Sequence, residues 1–385
     1  MKFFIKYIKI ITLLLIFALI FSAFSISSIA VEGEKSSKNE LSISAKAACL
    51  IDVQSGRVLY GKNENTRLPM ASTTKIMTAI VALESGFPFD TLVRVPKEAV
   101  GIEGSSIYLE EGENITLEAL IYGLLLCSAN DASMAIAIAI SGSVDSFVEK
   151  MNEKATSLGL SNTHFSNPHG LDDKDHYTTA KELAILMAYC SKNERFLQIS
   201  GTQKRIFPRG DDSVRVMINH NRLLREDVGV IAGKTGFTKK SGRSLVTLAE
   251  RDGLRLVCAT IGAPDDWSDH RSLYDFGFSN YQMVYFEPIS LEIPVISGKK
   301  SSVRIKSEHI SLLLPKDTEA QVRVCAPQFL FAGVNEGEKA GYVLYLYRGK
   351  IIARAPLFIC ENVEQLRYTF NLFAWLTDLI KRIFS

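Results

Sequence analysis

Three short groups of residues occur in order along the chain: Ser72-Thr73-Thr74-Lys75, Ser128-Ala129-Asn130 and Lys234-Thr235-Gly236. A serine hydroxyl attacks poorly until a base removes its proton. Residues three apart on a helix share a face, so Lys75 can reach the Ser72 hydroxyl. A lysine acts as a base only when neutral, and burial or a second cation favours that state. Lys234 could be that cation. The Ser128 hydroxyl suits proton transfer between Lys75 and a leaving amine. The Asn130 amide suits holding either substrate backbone or Lys75. Lys234 and Thr235 suit a carboxylate, which points to a substrate with a free C-terminus. Gly236 permits close approach of another backbone. The backbone N–H groups of Ser72, at an expected helix start, and of Phe237 are candidate donors to a developing oxyanion. The chemistry is acyl transfer through a serine ester, with lysine as base.

Spacing alone does not single these residues out. Ser297-Gly298-Lys299-Lys300 repeats the first pattern, and Ser37-Lys38-Asn39 and Ser191-Lys192-Asn193 repeat the second. What distinguishes the trio is order and setting. Ser72 opens a helical pattern over 72–84, with apolar Ile76, Met77, Ile80, Val81 and Leu83. Ser128 follows an apolar helical run, 117–127. Lys234 begins a strand-rich stretch in which 244–250 and 254–261 flank Arg251-Asp252-Gly253, whose Asp-Gly is a turn signal. Near the start, 47–53 and 57–60 flank Gln54-Ser55-Gly56 as a hairpin. Further helices are expected over 131–140, 144–158 and 179–190. Strands at both ends with helices between them predict an α+β domain whose sheet is built from both ends of its sequence.

Beyond about residue 281 the pattern changes to short alternating runs, 291–296, 302–305, 321–325, 342–347 and 351–358, which predict a small all-β domain. The last stretch, 370–385, is two-faced. Phe373, Leu376, Ile380 and Phe384 line one side, with Asp378, Lys381 and Arg382 on the other. It suits lying in a membrane interface; docking on the β domain is the alternative. At the other end, three lysines precede an apolar run from Ile10 to Phe24, and Ser28-Ile29-Ala30 offers small residues for cleavage. This is a signal segment over 1–30, with an uncleaved anchor as the alternative. The expected division is therefore 1–30 signal, 31–44 linker, 45–280 catalytic domain, 281–366 β domain and 367–385 amphipathic helix.

Of 44 basic residues, Lys2, Lys6 and Lys9 fall in the leader, so the remainder carries 41 against 42 acidic residues. That balance gives no reason to expect nucleic acid as a partner. The six cysteines form no close pair, and most sit in apolar runs. Buried free thiols are expected, with one long-range disulfide as the alternative. His164, His169 and His176 lie near Asp172, Asp173 and Asp175 without a metal-binding spacing, so no metal or other cofactor is expected. Structural or solvent-facing roles are assigned to these histidines, although Asn167-Pro168-His169-Gly170 could border the cleft. Asn114-Ile115-Thr116 matches a glycosylation sequon, and Thr116 also suits capping the 117–127 helix.

Leu50-Ile51-Asp52, the segment Ser72 to Ala79, Cys127 to Ala132, Asn167 to Leu171, Asn219 to Leu224 and Gly233 to Thr238 together resemble the serine D-alanyl-D-alanine carboxypeptidases, the low-molecular-mass penicillin-binding proteins. The resemblance is strong over about 45–278 and looser beyond. It implies a transpeptidase/β-lactamase-like catalytic fold and removal of the terminal D-alanine from peptidoglycan pentapeptide through an acyl-serine. It also implies acylation of the same serine by β-lactam antibiotics, and attachment to the outer face of the cytoplasmic membrane. Asp265 to His270 is similar to the sporulation-associated branch. A D,D-endopeptidase, a weak β-lactamase or a non-catalytic penicillin sensor are the alternatives on the same frame. No E-x-x-L-N segment lies between Asn130 and Lys234, which argues against an efficient β-lactamase.

Overall fold

The computed structural model describes residues 41–209, 213–366 and 372–383. The expected leader over 1–30 lies outside the described residues, as do 367–371 and the last two residues of the tail. Residues 42–44, assigned above to the linker, are instead part of the fold. The Asp269 carboxylate accepts from the backbone N–H of Ser44 at 2.7 Å and of Ala45 at 2.9 Å, and Ile43 is buried.

The first hairpin is β1 (Ala47–Asp52) and β2 (Val58–Lys62), paired antiparallel. After it comes a 3-10 turn, Ala71–Thr74, which runs directly into α1 (Lys75–Leu83). The expected helix over 72–84 is thus split. Ser72 sits on the tighter turn, and the α-helix proper begins at the lysine. From 75 to 82 every residue of α1 is buried, as befits a helix that is covered on all sides.

A short ladder, β3 (Leu92–Arg94) with β4 (Asn114–Thr116), leads into the helical insert. This comprises α2 (Leu117–Leu126), α3 (Asn130–Ser141), α4 (Val144–Ser157), α5 (Ala180–Cys190) and α6 (Glu194–Gly201). Polar caps set most of the starts. Thr116 accepts from the Ala119 N–H, and Ser143, Thr179 and Asn193 act alike on the next turns. A hairpin of β5 (Lys204–Pro208) and β6 (Val214–Ile218) follows, which the sequence reading did not anticipate.

The chain then completes the main sheet with β7 (Val230–Thr238), β8 (Gly242–Arg251) and β9 (Leu254–Ile261), and covers it with α7 (Asp266–Asn280). Strand order is β2-β1-β9-β8-β7, antiparallel throughout. The expected sheet from both ends of the domain is what forms. One contiguous apolar core lies between the helices and this sheet. The edge strand β7 lies against the 3-10 turn that carries Ser72.

Over 281–366 the regular elements are strands: β10 (Tyr281–Phe286), β11 (Ser290–Ile296), β12 (Ser302–Ser307), β13 (Ile310–Pro315), β14 (Gln321–Cys325), β15 (Leu330–Phe331), β16 (Lys339–Tyr347) and β17 (Lys350–Ile359). Six of these make a sheet ordered β14-β16-β17-β12-β11-β15, and β10 pairs with β13. A second apolar core, centred on Val303, Ile305, Val343 and Leu357, belongs to this part alone. Gln54 bridges to it by donating to the Ser311 hydroxyl at 2.7 Å. The last described element is α8 (Leu372–Ile383), on which Trp375, Leu376, Leu379 and Ile380 are exposed. No single helix among the described residues is long and apolar enough to cross a membrane.

All six cysteines are free thiols. Cys49, Cys190 and Cys258 are buried and Cys127 and Cys360 half-buried, but Cys325 is exposed on β14, at odds with a uniform expectation of burial.

Candidate active site

The turn that presents Ser72 is held under backbone strain. Ala71 adopts φ 50°, a left-handed conformation that costs a non-glycine residue free energy. The strain re-aims the chain so that Ser72 points into a cleft while Thr73, Thr74 and Lys75 turn inward. Ser128, in the break between α2 and α3, has φ 61° and faces the same cleft. Two strained residues therefore bracket one cavity of about 660 Å3. It is lined by Ser72, Ser128, Asn130, Thr235, Gly236 and Phe237, among others.

Lys75 is fully buried, yet its amine is richly bonded. Nζ lies 2.9 Å from Ser72 Oγ and 2.7 Å from Asn130 Oδ1, and it also donates to the His169 carbonyl. Burial, then the charge of Lys234, hold the Lys75 pKa well below that of an ordinary lysine, with Asp131 opposing. A neutral amine has two N–H groups and one lone pair. With the N–H groups given to Asn130 and His169, the lone pair is left for the Ser72 hydroxyl, as a general base requires.

Asn130 is itself fixed. Its Nδ2 donates to the Glu103 carbonyl, and its backbone N–H donates to Ser105 O at 2.7 Å. Next to it, buried Asp131 accepts from the Ser106 hydroxyl and from the N–H groups of Ile107 and Leu109. The start of α3 thus clamps the 103–109 loop onto the rim of the cleft.

Lys234, on β7, is 1% exposed and does not line the cavity. Its ammonium donates to the Thr235 carbonyl at 2.8 Å, and burial lowers its pKa to about 7. Thr235, half-buried, and Phe237, exposed, do reach the cleft. Gly236 is pressed against the nucleophile's turn: a Cβ there would stand 3.1 Å from the backbone nitrogens of both Ser72 and Thr73. The structure therefore brings together every residue singled out from the sequence, with Lys234 behind the wall rather than in it.

Several cavity residues were not singled out. His169, Gly170 and Leu171 line the cavity, and so do His220, Arg243, Asp266 and Trp267. The first three come from the loop expected to border the cleft. His169 is neutral, its pKa pushed down to about 3 by burial, Lys75 and His176, and its Nδ1 accepts from the Leu171 N–H at 3.2 Å. Burial and Lys234 also lower the pKa of His220. Arg243, on β8, is the only lysine or arginine among the described lining residues. Asp266 holds it with contacts of 2.9 Å to Nε and to one terminal nitrogen, and its guanidinium lies 5.4 Å from the Trp267 ring centroid. Asp266 is the only carboxylate among the described lining residues, and it is occupied by Arg243. His220, Asp266 and Trp267 fall in Asn219–Leu224 and Asp265–His270, segments that carry the resemblance but no chemical pattern of their own, and Arg243 lies in neither. Among the described residues, no cluster of three or more His, Cys, Asp or Glu could hold a metal ion.

Comparison with known proteins gives a consistent result. A family model described as D-alanyl-D-alanine carboxypeptidase (Peptidase S11) matches residues 34–265. The chain is 33% identical over 350 residues to D-alanyl-D-alanine carboxypeptidase DacF of Bacillus subtilis, covering 87% of this chain and 89% of that protein. It is 30% identical to DacA of Haemophilus influenzae, covering 95% and 97%. Among solved structures, penicillin binding protein 5 from Haemophilus influenzae superposes with a TM-score of 0.72 at 29% identity, over 84% of this chain and 98% of that one. The DD-transpeptidase of Streptomyces K15 superposes with a TM-score of 0.59 at 32% identity, over 62% and 98%.

Proposed function

The chain belongs to the D-alanyl-D-alanine carboxypeptidase family, and on that premise we propose the roles that its own residues play in the reaction. The protein is a serine-type D-alanyl-D-alanine carboxypeptidase. It acts outside the cytoplasm on the D-Ala-D-Ala end of peptidoglycan stem peptides, and it binds β-lactams.

Ser72 Oγ attacks the carbonyl carbon of the penultimate D-alanine while Lys75 Nζ takes its proton. The carbonyl oxygen becomes an oxyanion facing the backbone N–H groups of Ser72 and Phe237. Collapse breaks the C–N bond. The proton held by Lys75 passes through the Ser128 hydroxyl to the leaving nitrogen, so D-alanine departs as the amine and an ester remains on Ser72. Lys75 then takes a proton from water, the hydroxide adds to the ester carbonyl, and collapse breaks the bond to Ser72 Oγ, which takes the proton back from Lys75. The observation that carries this reading is the buried Lys75 amine, shared between Ser72, Asn130 and the His169 carbonyl, with its pKa depressed.

The terminal carboxylate meets Thr235 and Arg243. The sequence reading gave the charge of this grip to Lys234. Arg243 is favoured because it lines the cavity whereas Lys234 lies behind Thr235. Lys234 serves in the other role open to it, adding its charge to burial in lowering the Lys75 pKa.

The test is direct. Penicillin is incubated with the intact protein, the Ser72 peptide is mapped by mass, and free D-alanine released from a pentapeptide is quantified. A covalent adduct on Ser72, with D-alanine release that vanishes in Lys75→Ala, is expected. An adduct that persists in Ser72→Ala refutes the assignment.

The finer placement is also a proposal. The leader over 1–30 is removed on export, and α8 lies in the membrane interface. Exposed Trp375, Leu376, Leu379 and Ile380 beside Lys381 and Arg382 favour that position. At about 1.5 Å per residue, twelve helical residues are far too short to span a bilayer. Two separate apolar cores support a boundary near residue 280. A sporulation role rests on the Asp265–His270 segment and is tested by the timing of expression.

A further inference from the structure

Thr74, the third residue of the nucleophile's own motif, does not reach the cleft. It is fully buried, and its hydroxyl donates to the Ala71 carbonyl at 2.7 Å. That proton being committed, the Nε2 of His176, 2.7 Å away, must donate to Thr74 Oγ1. The other ring nitrogen, Nδ1, accepts from the Ser166 N–H at 3.0 Å. The neighbours therefore dictate a single neutral tautomer, with the proton on Nε2. Burial favours it, holding the pKa down to about 4 against the pull of Asp173; His164 and Lys75 add to the lowering. The Asp173 carboxylate is itself engaged by the Ser166 hydroxyl and the Asp175 N–H, and the Phe165 ring packs edge-on at 5.8 Å.

The imidazole thus joins two pieces of chain. One is the 3-10 turn that carries Ser72 into Lys75. The other runs from Ser166 to His169, whose carbonyl accepts from Lys75. We propose that His176 is a positioning residue: through Thr74 it holds the Ala71 carbonyl, and so keeps the strained turn and the 166–169 loop in the register that places Ser72 against Lys75. It touches neither substrate nor reacting atoms. The proposal rests on Ser72 being the nucleophile.

The experiment follows acylation of the full chain by a chromogenic β-lactam, separating the affinity of the first complex from the rate of ester formation. Melting midpoints confirm that each variant is folded. His176→Leu and Thr74→Val are each expected to slow ester formation by about tenfold to a hundredfold, the scale of a misplacement of about 1 Å, with the affinity unchanged. The double variant should be no slower than the slower single one, because both cut the same connection. His176→Gln, which keeps an amide donor for Thr74, should recover most of the rate. A folded His176→Leu that acylates at the parent rate overturns the proposal, as do effects that multiply in the double variant or fall on affinity instead of rate. If His176→Leu does not fold, Thr74→Val decides by the same criteria. Loss of the underlying reading is seen separately, as an adduct that survives Ser72→Ala.

Discussion

Gly170 offers a sharp test of how tightly this site is built. It has φ +92°, and an added Cβ would stand 2.1 Å from the Ala71 carbonyl oxygen, 2.5 Å from its carbon and 2.9 Å from Thr74 Oγ1. An ordinary carbon–oxygen contact needs at least about 3.2 Å, so Gly170→Ala must part the two backbones by roughly 1 Å. Neither side can yield harmlessly. On one side is the turn from which Ser72 projects; on the other is the loop whose His169 carbonyl accepts from Lys75. The left-handed φ adds about 1–3 kcal/mol of strain. Displacement on that scale costs on the order of a hundredfold in rate when it falls between nucleophile and base. The expected result is a folded protein, melting several degrees lower, that forms the penicilloyl ester about a hundred times more slowly. The measurement is stopped-flow acylation alongside a thermal melt. Parent-like acylation together with an unchanged midpoint would show that the contact between these backbones is not what positions Ser72.

Three further outcomes follow from the same geometry. Lys234 has its pKa lowered to about 7 by burial, so between about 7 and 10.5 the unfolded chain binds the extra proton and stability rises with pH. Below about 7 the cost of its buried charge is fully present, so Lys234→Met should raise the melting midpoint most near pH 6 and least near pH 10; an equal shift at both pH values refutes the assignment. Arg243→Leu should raise KM for a pentapeptide with a free C-terminal carboxylate by about tenfold to a hundredfold, the worth of a charged hydrogen bond. A C-terminally amidated peptide should be insensitive, and equal losses on both would remove Arg243 from the carboxylate grip. Deleting residues 367–385 should shift the protein from the membrane to the soluble fraction with D-alanine release from soluble peptide intact; unchanged sedimentation with membranes would place the attachment elsewhere.

Much of the site was legible because its chemistry is carried by local spacing. Ser72 and Lys75 are one turn apart, and Ser128 and Asn130 straddle the start of one helix. Arg243 and Asp266 were not legible, because they meet only when β8 and α7 pack together, and nothing in either segment alone marks an ion pair. Burial of Lys234 depends on the elements packed on β7, so it lies behind the cavity wall while Thr235 lines it. α7 was missed for a related reason. Its buried face holds Asp266, Asp269 and His270 as well as Leu273 and Tyr274, so no apolar periodicity shows. The β5–β6 hairpin leaves Ile206, Val214, Val216 and Ile218 exposed, which inverts the usual pattern of an apolar buried face. For His176 the sequence context supports a structural or a solvent-facing role without choosing between them. That it is held between Thr74 and Ser166 is visible only in three dimensions.

The order of the main sheet also bears on how the protein comes into being. β1 is paired on one side with β9, so that Ala47 faces Ile261 across more than two hundred residues of chain. Contacts of that span are slow to form, because the loop between them must close before they contribute. A nascent chain emerging N-terminus first carries its serine and lysine early, but not the strands against which their turn is pressed. It is expected to stay unreactive toward substrate and β-lactam until β7, whose Gly236 lies against the Ser72 turn, and the strands paired beyond it have been made. Reactivity toward a labelled penicillin is thus expected to time completion of the fold, and a chain ending before Leu254, which lacks β9, is expected to stay unlabelled.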